Sequence, residues 1–104
     1  MIVEQRDYHV ITGKLNELVQ LYESEGIELQ KSYLGNLVGA FTTDIGALST
    51  YTSIWAYDNF AEREERRARL QADDAWKTFL AKIQPLIHTQ KNRILVPTAF
   101  SPLR

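Results

Sequence analysis

Strand-like segments of this 104-residue chain carry arginine, tyrosine and other chemically useful side chains at every second position. Residues two apart in a β-strand point to the same face, so this pattern gathers polar and aromatic groups on one surface. Arginine holds anions, tyrosine and histidine move protons, and the tryptophan indole stacks on flat ligands. The residues that we predict around a ligand cavity are Glu4, Arg6, Tyr8, Trp55, Tyr57, His88 and Gln90. The candidates for a catalytic role among them are Arg6, Tyr8 and His88.

The same residues also have a purely structural interpretation. Glu4 and Arg6 would then form a buried ion pair, and the aromatic rings would fill a core. Aromatic residues are enriched in strands because they pack well on a pleated, half-buried surface. Residue types and spacing leave both interpretations open.

Several other chemistries lack the residues that they need. The chain has no cysteine, which excludes thiol nucleophiles, disulfides and thiolate metal sites. Its two histidines, His9 and His88, are not at metal-ligand spacing, and alternation places His9 on the face opposite Glu4. We therefore expect no protein-built metal site and no convergence of the two histidines. Neither a glycine-rich phosphate loop nor a nucleophile elbow is present.

The overall balance of residues limits the partners. Twelve basic and 13 acidic side chains give a net charge of −1, so nucleic acid is not an expected partner. No apolar run approaches the roughly 20 residues of a membrane span, and residues 1–6 do not resemble the start of a secretion signal. We expect a complete, soluble, cytoplasmic chain that forms one domain over residues 1–104.

Hydrophobic periodicity and turn residues predict the order β-α-β-β-α-β. The predicted strands are Ile2–Ile11, Leu37–Ile45, Tyr51–Tyr57 and Ile87–Val96. One helix runs from Leu15 to Gly35, with Gly26 on its apolar stripe as a close packing contact or a kink. Two further helices start after Asn59 and Asp73. This order is that of the ferredoxin-like unit, an α+β fold in which helices cover one face of a four-stranded antiparallel sheet.

Alternation in the third strand predicts which side chains lie on the face without helices. Thr52, Ile54 and Ala56 suit packing against helices, which leaves Trp55 and Tyr57 on the open face. The residues of the first and last strands that we expect beside them are Glu4, Arg6, Tyr8, His88, Gln90 and Asn92. Because a bare aromatic surface implies a partner, we expect two such sheets to close face to face in a homodimeric barrel with a cavity between them.

The segment from Phe60 to Leu70 is dense in charge. Glu62 with Arg66 and Glu65 with Arg69 are helical pairs in the favourable order. We expect this segment to present a solvated helix face.

Short motifs along nearly the whole chain resemble the NIPSNAP domain. Those motifs are Glu4–Tyr8, Gly13–Leu15, Leu37–Gly39, Thr43–Gly46, Trp55–Asp58, Ala61–Arg63, Trp76 with Phe79–Lys82, Gln90 with Asn92, Ile94–Leu95, Pro97 and Phe100–Pro102. The chain departs from the family at Gln5 and Asp7, where leucine and threonine are usual. The resemblance implies a dimeric α+β barrel, a superfamily that also holds antibiotic-biosynthesis monooxygenases, muconolactone isomerases and haem-associated enzymes.

Two functions from different classes are compatible with these residues. The first is binding of a small, partly aromatic or acidic molecule between the two sheets, with or without a cofactor-light isomerase or monooxygenase reaction. The second is a non-catalytic scaffold that acts through its dimer and its charged helix face. No cofactor is expected from the residues, and the superfamily adds only a haem with His88 as its axial ligand. Whether the protein is an enzyme is left open by the sequence.

Overall fold

The computed structural model describes residues 1–104, and its elements follow the predicted order. The strands are β1 (Ile2–Val10), β2 (Asn36–Thr42), β3 (Thr50–Tyr57) and β4 (Ile87–Leu95). The helices are α1 (Leu15–Leu21), α2 (Ile27–Leu34), α3 (Phe60–Ala72) and α4 (Asp74–Ile83), with a π-helical turn at Tyr22–Gly26 and a 3₁₀ turn at Gln84–Leu86. The prediction of a ferredoxin-like α+β fold is confirmed.

The four strands form one antiparallel sheet in the order β2-β3-β1-β4. The first strand of the chain is therefore an inner strand that pairs with both β3 and β4. Its register places Glu4 opposite Trp55, Arg6 opposite Ser53 and Tyr8 opposite Tyr51. Since facing residues of an antiparallel pair share a face, these side chains all lie on one side of the sheet.

Polar side chains define the starts of the two later helices. The Asn59 side chain accepts a hydrogen bond from the Glu62 backbone N–H at 2.9 Å, as its position predicted. Asp73 does the same for the Trp76 N–H at 2.9 Å, and its other oxygen accepts from the Tyr33 hydroxyl at 2.6 Å. α4 is therefore anchored to α2 at the point where it begins.

The π-helical turn interrupts the first long helix where Gly26 was predicted to pack closely or to kink it. A Cβ atom at position 26 would lie only 2.7 Å from the Phe79 ring atoms Cε1 and Cε2. Glycine therefore lets the turn approach α4, and Tyr22 at the start of the turn is buried in the core. None of the helices combines the length and the apolar character that crossing a lipid bilayer demands.

The core lies between the helices and the face of the sheet that carries the large aromatic residues. Trp55 and Tyr57 from β3 are buried there against Leu18, Leu70 and Phe79 from the helices. The prediction that Trp55 and Tyr57 occupy the open face is wrong. Large rings remove more apolar area from water than threonine or alanine does, so the face that carries them is the one that the helices cover.

Candidate functional site

The candidate residues of β1 also lie on the helix-covered face, not between two sheets. Glu4 is completely buried, and Arg6 and Tyr8 are 7% and 6% exposed. The predicted placement of these three residues on the open face is wrong for the same reason as that of Trp55 and Tyr57. Charged groups can occupy this interior because other charged groups reach them from the helices.

Glu4 is the centre of a buried network of ions. Its Oε2 accepts hydrogen bonds from Arg6 Nη1 and Arg63 Nη2, each at 3.0 Å, and from Asn92 Nδ2 at 3.3 Å. Its Oε1 accepts from Arg63 Nε at 3.2 Å. Burial raises the pKa of Glu4, but the hydrogen bond from Arg63 and the nearby guanidinium charges outweigh it, so the pKa is lower than usual. The carboxyl is therefore ionised and engaged, and it is not available as a base.

Part of the charged segment of α3 turns inward, which corrects the prediction of a solvated face. Arg63 and Arg67 lie on the same side of the helix as Leu70, which is fully buried. Arg66 pairs with Glu62 as predicted, at 2.8 Å, and its Nη1 also donates to the backbone oxygen of Tyr33 at 3.0 Å. These arginines are the functional residues that sequence reasoning missed. Their spacing of three, four and seven residues from Leu70 was the available signal.

Arg67 differs from the other inward arginines because no carboxylate pairs with it. Its Nη1 is buried and has no hydrogen-bond partner. Burial lowers the pKa of Arg67, and the charge of Arg6 lowers it further. The nearby Tyr57 hydroxyl is neutral and is itself buried without a hydrogen bond. Glu4 attracts the Arg67 charge from nearby, but Arg67 has no ion pair of its own.

A cavity of about 190 Å³ lies between the sheet and the helices at this place. Its polar wall includes Arg6, Tyr8, Gln30, Arg67 and Gln90, and its apolar wall includes Trp76, Leu80, Ile83 and Ile87. Gln30 is only 2% exposed, and its Oε1 has no partner. The cavity is smaller than most drug-sized pockets and fits a molecule of roughly ten non-hydrogen atoms.

Tyr8 connects this cavity to a cluster of phenols. Arg6 Nε donates to the Tyr8 hydroxyl oxygen at 2.9 Å, and the Tyr8 ring stacks on Tyr51 with centroids 6.0 Å apart. The Tyr22 ring lies 4.9 Å from that of Tyr51. Burial, with a smaller effect of Tyr8, raises the pKa of Tyr51 to about 12 and that of Tyr22 well above its usual range. Tyr22 and Tyr51 are therefore neutral phenols.

Of the predicted site, the structure brings Arg6, Tyr8 and Gln90 together around the cavity and holds Glu4 behind Arg6. Trp55 is fully buried in the core, where its Nε1 donates to Ser53 Oγ at 3.1 Å, and Tyr57 also lies outside the cavity wall.

The predicted position of His88 beside Tyr8 is wrong. The pairing of β1 with β4 shifts register between His9 and Val10, which takes His88 out of strict alternation. His88 is exposed, and its ring centroid lies 6.0 Å from that of His9, so the expectation that the two histidines do not converge is also wrong. No group of three or more metal-ligating side chains is present. An exposed histidine outside the cavity does not fit an axial haem ligand, which needs an apolar pocket around it.

The open face of the sheet is polar where β1, β3 and β4 meet. A depression of about 360 Å³ is lined by Asp7, His9, Thr52, Lys91 and Arg93 with four further residues. Asp7 accepts from Thr52 Oγ1 at 2.6 Å. This surface lacks the aromatic groups that we expected there.

The helix-side cavity holds hydrogen-bond donors and no carboxylate, histidine or thiol in its wall. Two guanidinium groups and a phenol can bind an anion and polarise an oxygen atom. They supply no group suited to remove a proton from carbon. The arrangement therefore favours binding of an acidic molecule.

The fold first defines a broad class. The structure of an antibiotic biosynthesis monooxygenase superposes with a TM-score of 0.65 at 10% identity, covering 94% of this chain and 99% of that one. At this identity the likeness shows the shared ferredoxin-like fold alone.

Within that class, the chain belongs to the NIPSNAP family, whose sequence profile matches residues 3–102. A NIPSNAP family protein from Agrobacterium tumefaciens is 47% identical, with a TM-score of 0.97 over 99% of this chain and 98% of that one. Protein NipSnap homolog 3A of Homo sapiens is 36% identical over 98 residues, which make up 90% of this chain and 39% of the human protein. The resemblance read from the motifs is confirmed. The chain spans less than two fifths of the length of the curated animal relatives that it matches.

Proposed function

We propose that this NIPSNAP-family chain binds a small acidic, partly aromatic molecule in the cavity between its sheet and its helices. The observation that carries the proposal is the half-buried Arg67, which lines the cavity and whose Nη1 is buried without a hydrogen-bond partner. The predicted location between two sheets is replaced by a site within one chain. The chemical class of the ligand stays as the sequence predicted it.

The balance of charge supports an anionic ligand. Arg6, Arg63 and Arg67 bring three positive charges to the region, and Glu4 is the one carboxylate that pairs with them inside it. Leaving a buried charge without a counter-charge costs several kcal/mol. A ligand carboxylate next to Arg67 would remove that cost on binding, and the guanidinium can hold it through two parallel hydrogen bonds.

The opposite wall supports a flat apolar body on the ligand. Trp76 is 5% exposed, and Leu80, Ile83 and Ile87 extend the apolar wall beside it. A ring packed on this surface gains hydrophobic contact, while its acid group faces Arg67. Benzoate, with nine non-hydrogen atoms, has the size that the cavity admits.

A homodimer is the second part of the proposal. The open face carries the half-buried Ile54 and Leu95, which is 40% exposed, and an uncovered sheet face favours packing against another copy of itself. The resemblance to dimeric α+β barrels supports the same arrangement. The scaffold alternative loses part of its basis, because two arginines of the charged segment face the cavity network and not a partner.

Isothermal titration of the full chain with benzoate tests the site. The Arg67→Gln variant should bind at least tenfold more weakly, whereas Arg69→Gln, on the exposed side of the same helix, should bind as the wild type does. The Arg67→Gln variant should also unfold at the same or a higher urea concentration, because it removes an unpaired buried charge. No binding of benzoate to the wild type, or equal binding by Arg67→Gln, would overturn the proposal.

A further inference from the structure

The geometry points to a ligand with two oxygen functions. We infer that the acid carries a second oxygen acceptor beside its carboxylate, as 2-hydroxy and 2-keto acids do, and that Tyr8 donates its hydroxyl hydrogen to that oxygen. This inference rests on the proposed function, since it assumes that an acid occupies the cavity. It assigns Tyr8 as the residue that decides between acids of similar size.

The hydrogen bond between Arg6 and Tyr8 determines where the Tyr8 hydrogen goes. A guanidinium only donates, so in the 2.9 Å contact the Tyr8 oxygen must be the acceptor. The hydrogen of the Tyr8 hydroxyl is not used in that bond and must point elsewhere. Because Tyr8 forms part of the cavity wall, a ligand oxygen is within reach of this hydrogen.

Arg6 is the hydrogen-bond partner that the structure gives the Tyr8 hydroxyl, and the neighbouring Tyr51 meets Tyr8 ring to ring, with centroids 6.0 Å apart. A hydroxyl that accepts from a guanidinium also donates more strongly, since linked hydrogen bonds reinforce one another.

The unused hydrogen also gives the site a preference. The Tyr8 oxygen already accepts from Arg6, so the group that Tyr8 offers to a ligand is its O–H donor, and a ligand oxygen with a free lone pair can accept from it. A ligand whose second group only donates leaves that hydrogen unpaired. A buried polar group that pairs with one ligand and stays unpaired with another discriminates between them more strongly than the shape of the cavity does.

Three benzoates of closely similar size test the inference on the wild-type chain by isothermal titration. Benzoate has no second group. In 2-hydroxybenzoate the hydroxyl hydrogen bonds to its own carboxylate and leaves the oxygen free to accept, whereas the amino group of 2-aminobenzoate is mainly a donor. We expect 2-hydroxybenzoate to bind about 3- to 10-fold more tightly than benzoate, and 2-aminobenzoate to gain nothing.

The Tyr8→Phe variant removes the hydroxyl group and keeps the ring, so it tests the role of that hydroxyl alone. Whatever its affinity for benzoate itself, it should lose the 3- to 10-fold preference for 2-hydroxybenzoate over benzoate. Tyr33→Phe, which alters a tyrosine outside the cavity, should keep that preference. If Tyr8→Phe fails to fold by far-ultraviolet circular dichroism, the wild-type ligand series still decides.

The outcomes separate the two proposals. If benzoate binds and 2-hydroxybenzoate binds no better, the role of Tyr8 is overturned while the cavity stands. A preference that survives in Tyr8→Phe overturns it too. If none of the three benzoates binds the wild type, the proposed function fails, and this inference fails with it.

Discussion

At the scale of single residues, Glu4 is the side chain on which the interior depends. It has no exposed surface, and it joins β1 to α3 through Arg63 and to β4 through Asn92. Two arginines share its charge, so the removal of this one carboxylate leaves both of them buried without a partner. The ion-pair interpretation of Glu4 and Arg6 is therefore correct, and it coexists with a cavity instead of replacing it.

The Glu4→Gln variant should be less stable than the wild type by about 3 kcal/mol, measured by urea unfolding at neutral pH. Glu64 offers a matched control, because it also pairs with Arg63 but its side chain is 70% exposed. Glu64→Gln should change the free energy of unfolding by less than about 0.5 kcal/mol.

The effect of Glu4→Gln should also depend on pH. Folding lowers the pKa of Glu4 from its ordinary 4.5, so its contribution is present above that value and is lost as the pH falls through the folded value. The difference between wild type and variant should therefore shrink between neutral pH and about pH 3. A constant difference over that range would show that Glu4 does not act through its charge.

At the scale of elements, periodicity predicted the strands and helices well and the orientation of α3 poorly. The apolar stripe of α4, with Trp76, Phe79 and Ile83, is buried as its spacing indicates. The spacing from Leu70 indicates the side of α3 on which Arg63 and Arg67 lie, but spacing alone does not show which group would pair with a buried arginine there. Burial of Arg63 is decided by Glu4, which lies 59 residues away in the chain. Such long-range pairing cannot be derived from local spacing.

The π-helical turn shows how one small residue can control the packing of an element. Gly26→Ala would force a methyl group against the Phe79 ring and should destabilise the protein by about 1 to 3 kcal/mol in urea unfolding. Ser32→Ala, on the exposed side of α2, should change stability by less than about 0.5 kcal/mol.

A second substitution checks the cause of the Gly26→Ala loss. Combined with Phe79→Leu, Gly26→Ala should cost less than it does alone, because the smaller side chain leaves room for the added methyl group. Additive losses in the double variant would mean that the Phe79 ring is not the obstacle.

At the scale of the whole molecule, the sequence defined the layers without telling which face the helices cover. Alternation places Tyr51, Ser53 and Trp55 on one face of β3 and Thr52 and Ile54 on the other. It does not show which of the two faces packs against the helices. Which face the helices cover is decided by the total apolar area that is buried and by the counter-charges that α3 supplies. Both are defined only when the whole chain has folded. The large rings and the β1 ion cluster therefore ended on the side opposite to the one predicted.

The proposed dimer can be tested through the open face. The wild type should have twice the 12.0 kDa chain mass by light scattering after gel filtration. Ile54→Asp places a charge on that face and should return the mass to that of one chain. Ala68→Asp, on the exposed side of α3, should stay dimeric, and a wild-type mass of one chain at all concentrations would contradict the proposal.

The inner position of β1 has a consequence for how the chain is made. A ribosome delivers β1 first and β4 last, yet β1 needs both β3 and β4 to complete its hydrogen bonds. Until residues 87–95 emerge from the exit tunnel, the nascent sheet has an unpaired edge at its future centre, and Glu4 lacks the amide of Asn92. The folding intermediate most exposed to aggregation is therefore the one that has β1 to β3 and lacks β4, and the addition of β4 is the step that completes the sheet.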